Sequence, residues 1–101
     1  MSPCAVYVMT TRRRTSKIGF SADPNRRQSM VTRRFGWVAL HGDPIWLNSR
    51  QDARKVEAAA HRALADSLIA GETEWFAVSG DEAMQAVFVA EGDLRRSGEI
   101  A

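Results

Sequence analysis

The run "AVYVMT", residues 5 to 10, is apolar at odd and even positions alike. A strand with one wet face alternates apolar and polar side chains, whereas a strand apolar on both faces has to be buried. A second short run, Lys17 to Phe20, follows across "TTRRRTS", which reads as a hairpin loop. The 101 residues, 45% of them hydrophobic and 26% charged, suit one core and an ordinary globular composition. "CAVYVM" is too short to cross a bilayer and no charged segment precedes it, so the expectation is a cytoplasmic protein with no membrane partner. Cys4, the lone cysteine, has no disulfide partner and no Cys/His set for zinc, and reads as a small core residue.

Asp23 followed by Pro24 marks a helix start, with the aspartate as N-cap and proline at the first helical position; this helix should end near Gly36. "WVAL", residues 37 to 40, reads as a third strand, with "HGDP" after it as a turn. Asn48 or Ser49 caps the longest helix, expected to run to about Ile69, with Ala53, Val56, Ala60, Leu64 and Leu68 on its apolar face. "EWFAV", residues 74 to 78, is the final strand, and Ser79 with Glu82 forms a capping box for a last helix ending near Gly92. Residues 1–92 are thus expected to form the domain and residues 93–101 a frayed tail.

Charge is distributed unevenly. Met1 to Arg34 carry eight arginines and lysines against Asp23 alone, a balance of +7, while Phe35 to Ala101 balance at −5. A positive face of that kind attracts phosphates, or is simply solvated. Two charges sit where charges are costly: Arg27 shares a helix face with Met30 and Val31, and Glu57 projects within the apolar stripe of its helix. Either they form a structural Arg27–Glu57 salt bridge, or they border a cleft in which Arg27 binds a phosphate and Glu57 holds a cation.

"AVYV" at 5 to 8, "KIG" at 17 to 19, Arg27 early in the next helix, Glu57 in "VEAAAH" and the "GETEWF" strand occur in an order that resembles the GIY-YIG nuclease superfamily. The resemblance is to the branch with KIG in the second motif, and it spans about Val6 to Val89. It implies an α/β (α+β) fold, a small antiparallel central sheet flanked by helices, and a metal-dependent endonuclease that hydrolyses nucleic-acid phosphodiester bonds, DNA in the first place. Carried over, Tyr7 would orient or deprotonate the attacking water, Arg27 would contact the scissile phosphate, and Glu57 would ligate Mg²⁺ or Mn²⁺. A catalytically silent nucleic-acid-binding module of the same fold is the alternative, and a protein-interaction domain a third reading.

Two positions depart from the family name. Ala5 replaces a glycine, small for small, and Lys17 replaces a tyrosine. A phenol of ordinary pKa near ~10 is a poor base at neutral pH, and a neighbouring ammonium lowers it, so Lys17 is expected on the cleft side with Gly19 and beside Tyr7. His61, one turn after Glu57, is either a proton donor or a hydrogen-bonded structural histidine. Arg12, Arg13 and Arg14 in the hairpin loop, with Arg26, are candidates to track the nucleic-acid backbone. Trp37 and Trp46 are able to stack on bases, Trp75 belongs in the core, and Arg33 and Arg34 read as solvated. With so small a chain, specificity is expected to be either low or supplied by a homodimer or a partner.

Overall fold

β1 (Cys4–Thr10) runs through the middle of the molecule, and the rest of the fold is arranged to cover it. In the computed structural model, which describes residues 2–101, β2 (Ser16–Ser21) returns antiparallel to β1 across the arginine-rich hairpin. α1 (Pro24–Phe35) follows, then β3 (Ala39–Leu40), β4 (Ile45–Leu47), α2 (Arg50–Ala63), β5 (Trp75–Phe76) and α3 (Gly80–Arg96). The sheet has five strands among the described residues, in the order β3-β1-β2-β5, with β4 also on β1. The fold is mixed α and β, with an antiparallel sheet and three helices among those residues.

Burial on both faces of β1 follows from the two layers. Val6, Val8 and Ile18 point to α2 and α3, packing with Val56, Ala60, Met84 and Val87. Tyr7 and Met9 point the other way, to Val31 of α1, with Val38 and Trp75. Cys4 is a buried core residue, as its isolation in the sequence suggests.

The caps sit where the local chemistry demands. The Asp23 side chain accepts the Arg26 amide at 3.1 Å with Pro24 opening α1, and α1 stops at Gly36, whose φ of +93° favours glycine. Ser49 caps α2, and Ser79 with Glu82 forms the capping box of α3.

Four expectations are corrected. β3 covers only Ala39–Leu40 of "WVAL", and "HGDP" does not reverse the chain: β3 and β4 lie along the same edge of β1, and the register slips by two residues where Gly42 bulges out. α2 ends at Ala63, short of Ile69, because the next residues are drawn to β5: Ile69 N–H donates to Trp75 O, and Ala77 N–H to Ser67 O. β5 itself covers only Trp75 and Phe76 of the five residues expected. Residues 93–101 do not fray, since α3 continues to Arg96, Ile100 is buried against the α2/α3 core, and Lys55 donates to Glu99 O at 3.1 Å.

Candidate functional site

Because β5 covers just Ser16 and Lys17 of β2, with Ile18 N–H donating to Glu74 O, the outer edge of β2 is left open beyond Ile18. α2 runs beside that edge. His61 Nε2 donates to Ile18 O at 2.8 Å, and one turn earlier Glu57 reaches the opposite side of the sheet. There a cleft of about 510 Å³ opens between β2 and α1, lined among others by Tyr7, Arg26, Arg27, Arg50, Glu57 and Glu74.

Tyr7 forms the floor. In the β1–β2 ladder it stands opposite Gly19, and a Cβ on Gly19 would lie 2.6 Å from Tyr7 Cζ. Glycine is needed here for space, not for backbone conformation. Burial pushes the Tyr7 phenol up to about 12; Arg27 opposes the rise, and Glu74 and Glu57 add to it. The phenol therefore keeps its proton at neutral pH and is a hydrogen-bond donor.

Arg27 is exposed at the rim, and its guanidinium takes part in none of the ion pairs among the described residues. The structural alternative of an Arg27–Glu57 bridge is not formed. Glu57 Oε2 is instead buried with no hydrogen-bond partner among those residues. The Glu57 carboxyl is raised to about 7, by burial first and by Glu74 second, while Lys17 and Arg54 pull against the rise. A buried, unpartnered carboxylate oxygen facing a cleft suits a hard cation, and Mg²⁺ or Mn²⁺ needs few protein ligands. The described residues contain no group of three or more His, Cys, Asp or Glu side chains placed to hold an ion, so any such ion would lean on Glu57, water and substrate oxygens.

Lys17 lies on the Tyr7 face, as expected, with its Nζ 5.8 Å from the Tyr7 ring centroid, but the nearest charge to it is a carboxylate. Lys17 stands across from Met9, diagonal to Tyr7, and donates to Glu74 Oε2 at 2.7 Å. Its ammonium is engaged by a carboxylate, and the phenol beside it is raised, not lowered. His61 does not line the cleft, since its ring packs on Phe76 at 5.1 Å with Nε2 committed to the backbone. The hairpin arginines lie at the far end of β1 and diverge. Arg12 stacks over Trp37 at 4.8 Å, Arg14 pairs with Glu82 of α3 at 2.9 Å, and Arg13 is exposed.

Two residues of the cleft escape a reading of the sequence. Glu74 is within "GETEWF", but its meaning depends on the pairing of β5 with Lys17, which no local pattern encodes. Arg50 opens α2 and lies over Phe20 at 5.2 Å; a basic residue in a first helical turn, where acidic ones are favoured, was the available signal.

A family model described as the T5orf172 domain matches residues 5–91, and the chain belongs to that family. No curated protein and no solved structure matches it.

Proposed function

We propose that this T5orf172-domain chain is a metal-dependent endonuclease of the GIY-YIG type that hydrolyses phosphodiester bonds in DNA. The observation that carries the reading is the convergence on one cleft of a protonated phenol, Tyr7, a free guanidinium, Arg27, and an unpartnered carboxylate oxygen, Glu57 Oε2. Membership of the family supports a nuclease or nucleic-acid-binding role. No helix among the described residues is long and apolar enough to cross a membrane.

Arg27 binds the scissile phosphate, its planar fork matching two phosphate oxygens and stabilising charge that builds in the transition state. Tyr7 orients the attacking water through its hydroxyl. Glu57 holds Mg²⁺ or Mn²⁺, which when bound supplies Lewis-acid stabilisation of the leaving oxygen. Arg26 and Arg50 flank the cleft and offer further phosphate contacts.

The test is supercoiled plasmid incubated with the protein in Mg²⁺ or in EDTA. Nicking is expected in Mg²⁺ alone and should be lost in Arg27→Ala, whose exposed, unpaired side chain leaves stability within about 0.5 kcal/mol of wild type. A shifted band that ignores EDTA, with no nicking, would make the chain a binding module and overturn the enzyme reading.

A further inference from the structure

The hydrophobic core does not account for the end of α1. Phe35 is 55% exposed and Trp37 is 50% exposed, two large rings in water on either side of the Gly36 bend. Each carries a guanidinium, with Arg34 Cζ 5.3 Å from the Phe35 centroid and Arg12 Cζ 4.8 Å from that of Trp37. Phe35 is also held edge-on to the buried Trp75, with centroids 5.9 Å apart. Arg27, Met30, Val31 and Arg34 fall at i, i+3, i+4 and i+7, one stripe along α1, so the two arginines are about 10 Å apart on the same side of the helix. That stripe lines a groove of about 410 Å³, which shares Arg27, Met30 and Glu74 with the candidate cleft. At its other end the groove shares Phe35, Glu72 and Trp75 with a depression of about 230 Å³ that also touches Thr11 and Thr15 of the hairpin.

We propose that Phe35 and Trp37, with Arg34 and Arg12, form a stacking platform for unpaired nucleic-acid bases, reached along α1 from the candidate cleft. The direction of the strand toward that cleft rests on the nuclease reading, whereas the stacking itself does not. In a duplex, base faces are occupied by their neighbours and only edges reach the grooves, so half-exposed aromatic rings that each already stack with a guanidinium suit a single strand. The arginines also favour a polyanion over an apolar protein surface, in keeping with the +7 balance of the first 34 residues. Substrates would then carry an unpaired segment, as at a flap, a bubble or a strand end.

The experiment is binding in EDTA of fluorescently labelled oligothymidylate and of a blunt duplex, by wild type, Phe35→Ala, Trp37→Ala, Arg34→Ala and the control Trp46→Ala. Trp46 is similarly exposed, at 51%, but pairs with Ala5 at the opposite end of β1 from the hairpin whose Arg12 lies over Trp37. Each aromatic variant should lose roughly 5- to 100-fold in oligothymidylate affinity with little change on duplex and an unchanged salt slope. Arg34→Ala should flatten the single-strand slope by about 0.7. Equal losses on both ligands, no loss on either, or a comparable loss in Trp46→Ala overturns the platform. So does a monomer–dimer equilibrium abolished by Trp37→Ala with oligothymidylate binding intact, which would assign the ring to a protein contact. A chain that nicks plasmid but holds oligothymidylate no better than duplex overturns the platform and keeps the nuclease. One that holds single strands through Phe35 and Trp37 but never nicks does the reverse.

Discussion

Tyr7 and Gly19 face each other across the β1–β2 ladder, and the phenol occupies the space where any other residue at position 19 would carry its Cβ. The glycine of "KIG" is therefore a seat for the tyrosine. Gly19→Ala should displace the ring, at a cost of about 1–3 kcal/mol for overpacking, and should reduce nicking by about 10²-fold or more. Thermal unfolding and plasmid nicking on one preparation check this; a folded variant of wild-type activity would show that the phenol's position does not matter.

Glu57 makes stability depend on pH. Its folded-state pKa, about 7, lies above the ordinary carboxyl value of 4.5, so ionising it opposes folding. The associated stability is fully present below pH 4.5, is lost as pH rises to 7, and stays lost above. Glu57→Gln removes the dependence. In EDTA the variant should match wild type near pH 4.5 and exceed it by about 1–2 kcal/mol above pH 7, the full shift being discounted because the group is partly solvated. Melting temperatures across pH 4 to 9 would show the two curves diverging, and parallel curves would place the ionised carboxylate in water.

Legibility followed locality. The caps at Asp23, Ser49 and Ser79 are readable because the side chain and the amide it caps are three residues apart, and β1 because its two apolar faces are written in consecutive residues. β4 was missed because a two-residue slip at Gly42 hides the continuity of its edge. The end of α2 was missed because Leu64 and Leu68 continue the helical period while the backbone after Ala63 is claimed by β5. In the cleft, Tyr7, Arg27 and Glu57 are marked by the family resemblance; the cost of a charge in an apolar stripe agrees for Glu57, whose Oε2 is buried, but not for Arg27, which is exposed. The partner of Lys17 was beyond reach, because Glu74 is 57 residues away in sequence and meets it only through the β2–β5 pairing.

That pairing changes what Lys17 is expected to do. Its side chain is 6% exposed against 42% for Glu74, so Lys17→Met leaves a carboxylate that partly rehydrates, at a cost of about 1–3 kcal/mol. A double-mutant cycle with Glu74→Gln should return a coupling of about 1–2 kcal/mol. Lys17 also holds the Glu57 carboxyl down, so its loss moves that ionisation above pH 7. Nicking by Lys17→Met should therefore be weak at neutral pH and below, and recover by about pH 8 to 9. Recovery only near pH 12 would return the effect to Tyr7, and a loss equal at every pH would leave a phosphate contact.

His61 should be a structural residue. Its Nε2 donates to a carbonyl, which places the proton on that nitrogen, and the acceptor belongs to Ile18, buried at the point where β5 stops covering β2. The ring also fills space against Phe76. His61→Ala removes the donor and the ring together, and about 2–3 kcal/mol of stability should go with them. His61→Gln retains a donor on a flexible stem and should recover part of it. Measured well below the melting temperature of each variant, nicking should stay within about threefold of wild type, with an unchanged pH profile, because no group in the cleft is lost. A 100-fold fall in His61→Gln at wild-type stability would instead mean that the imidazole acts on substrate through Nδ1, the nitrogen not committed to Ile18.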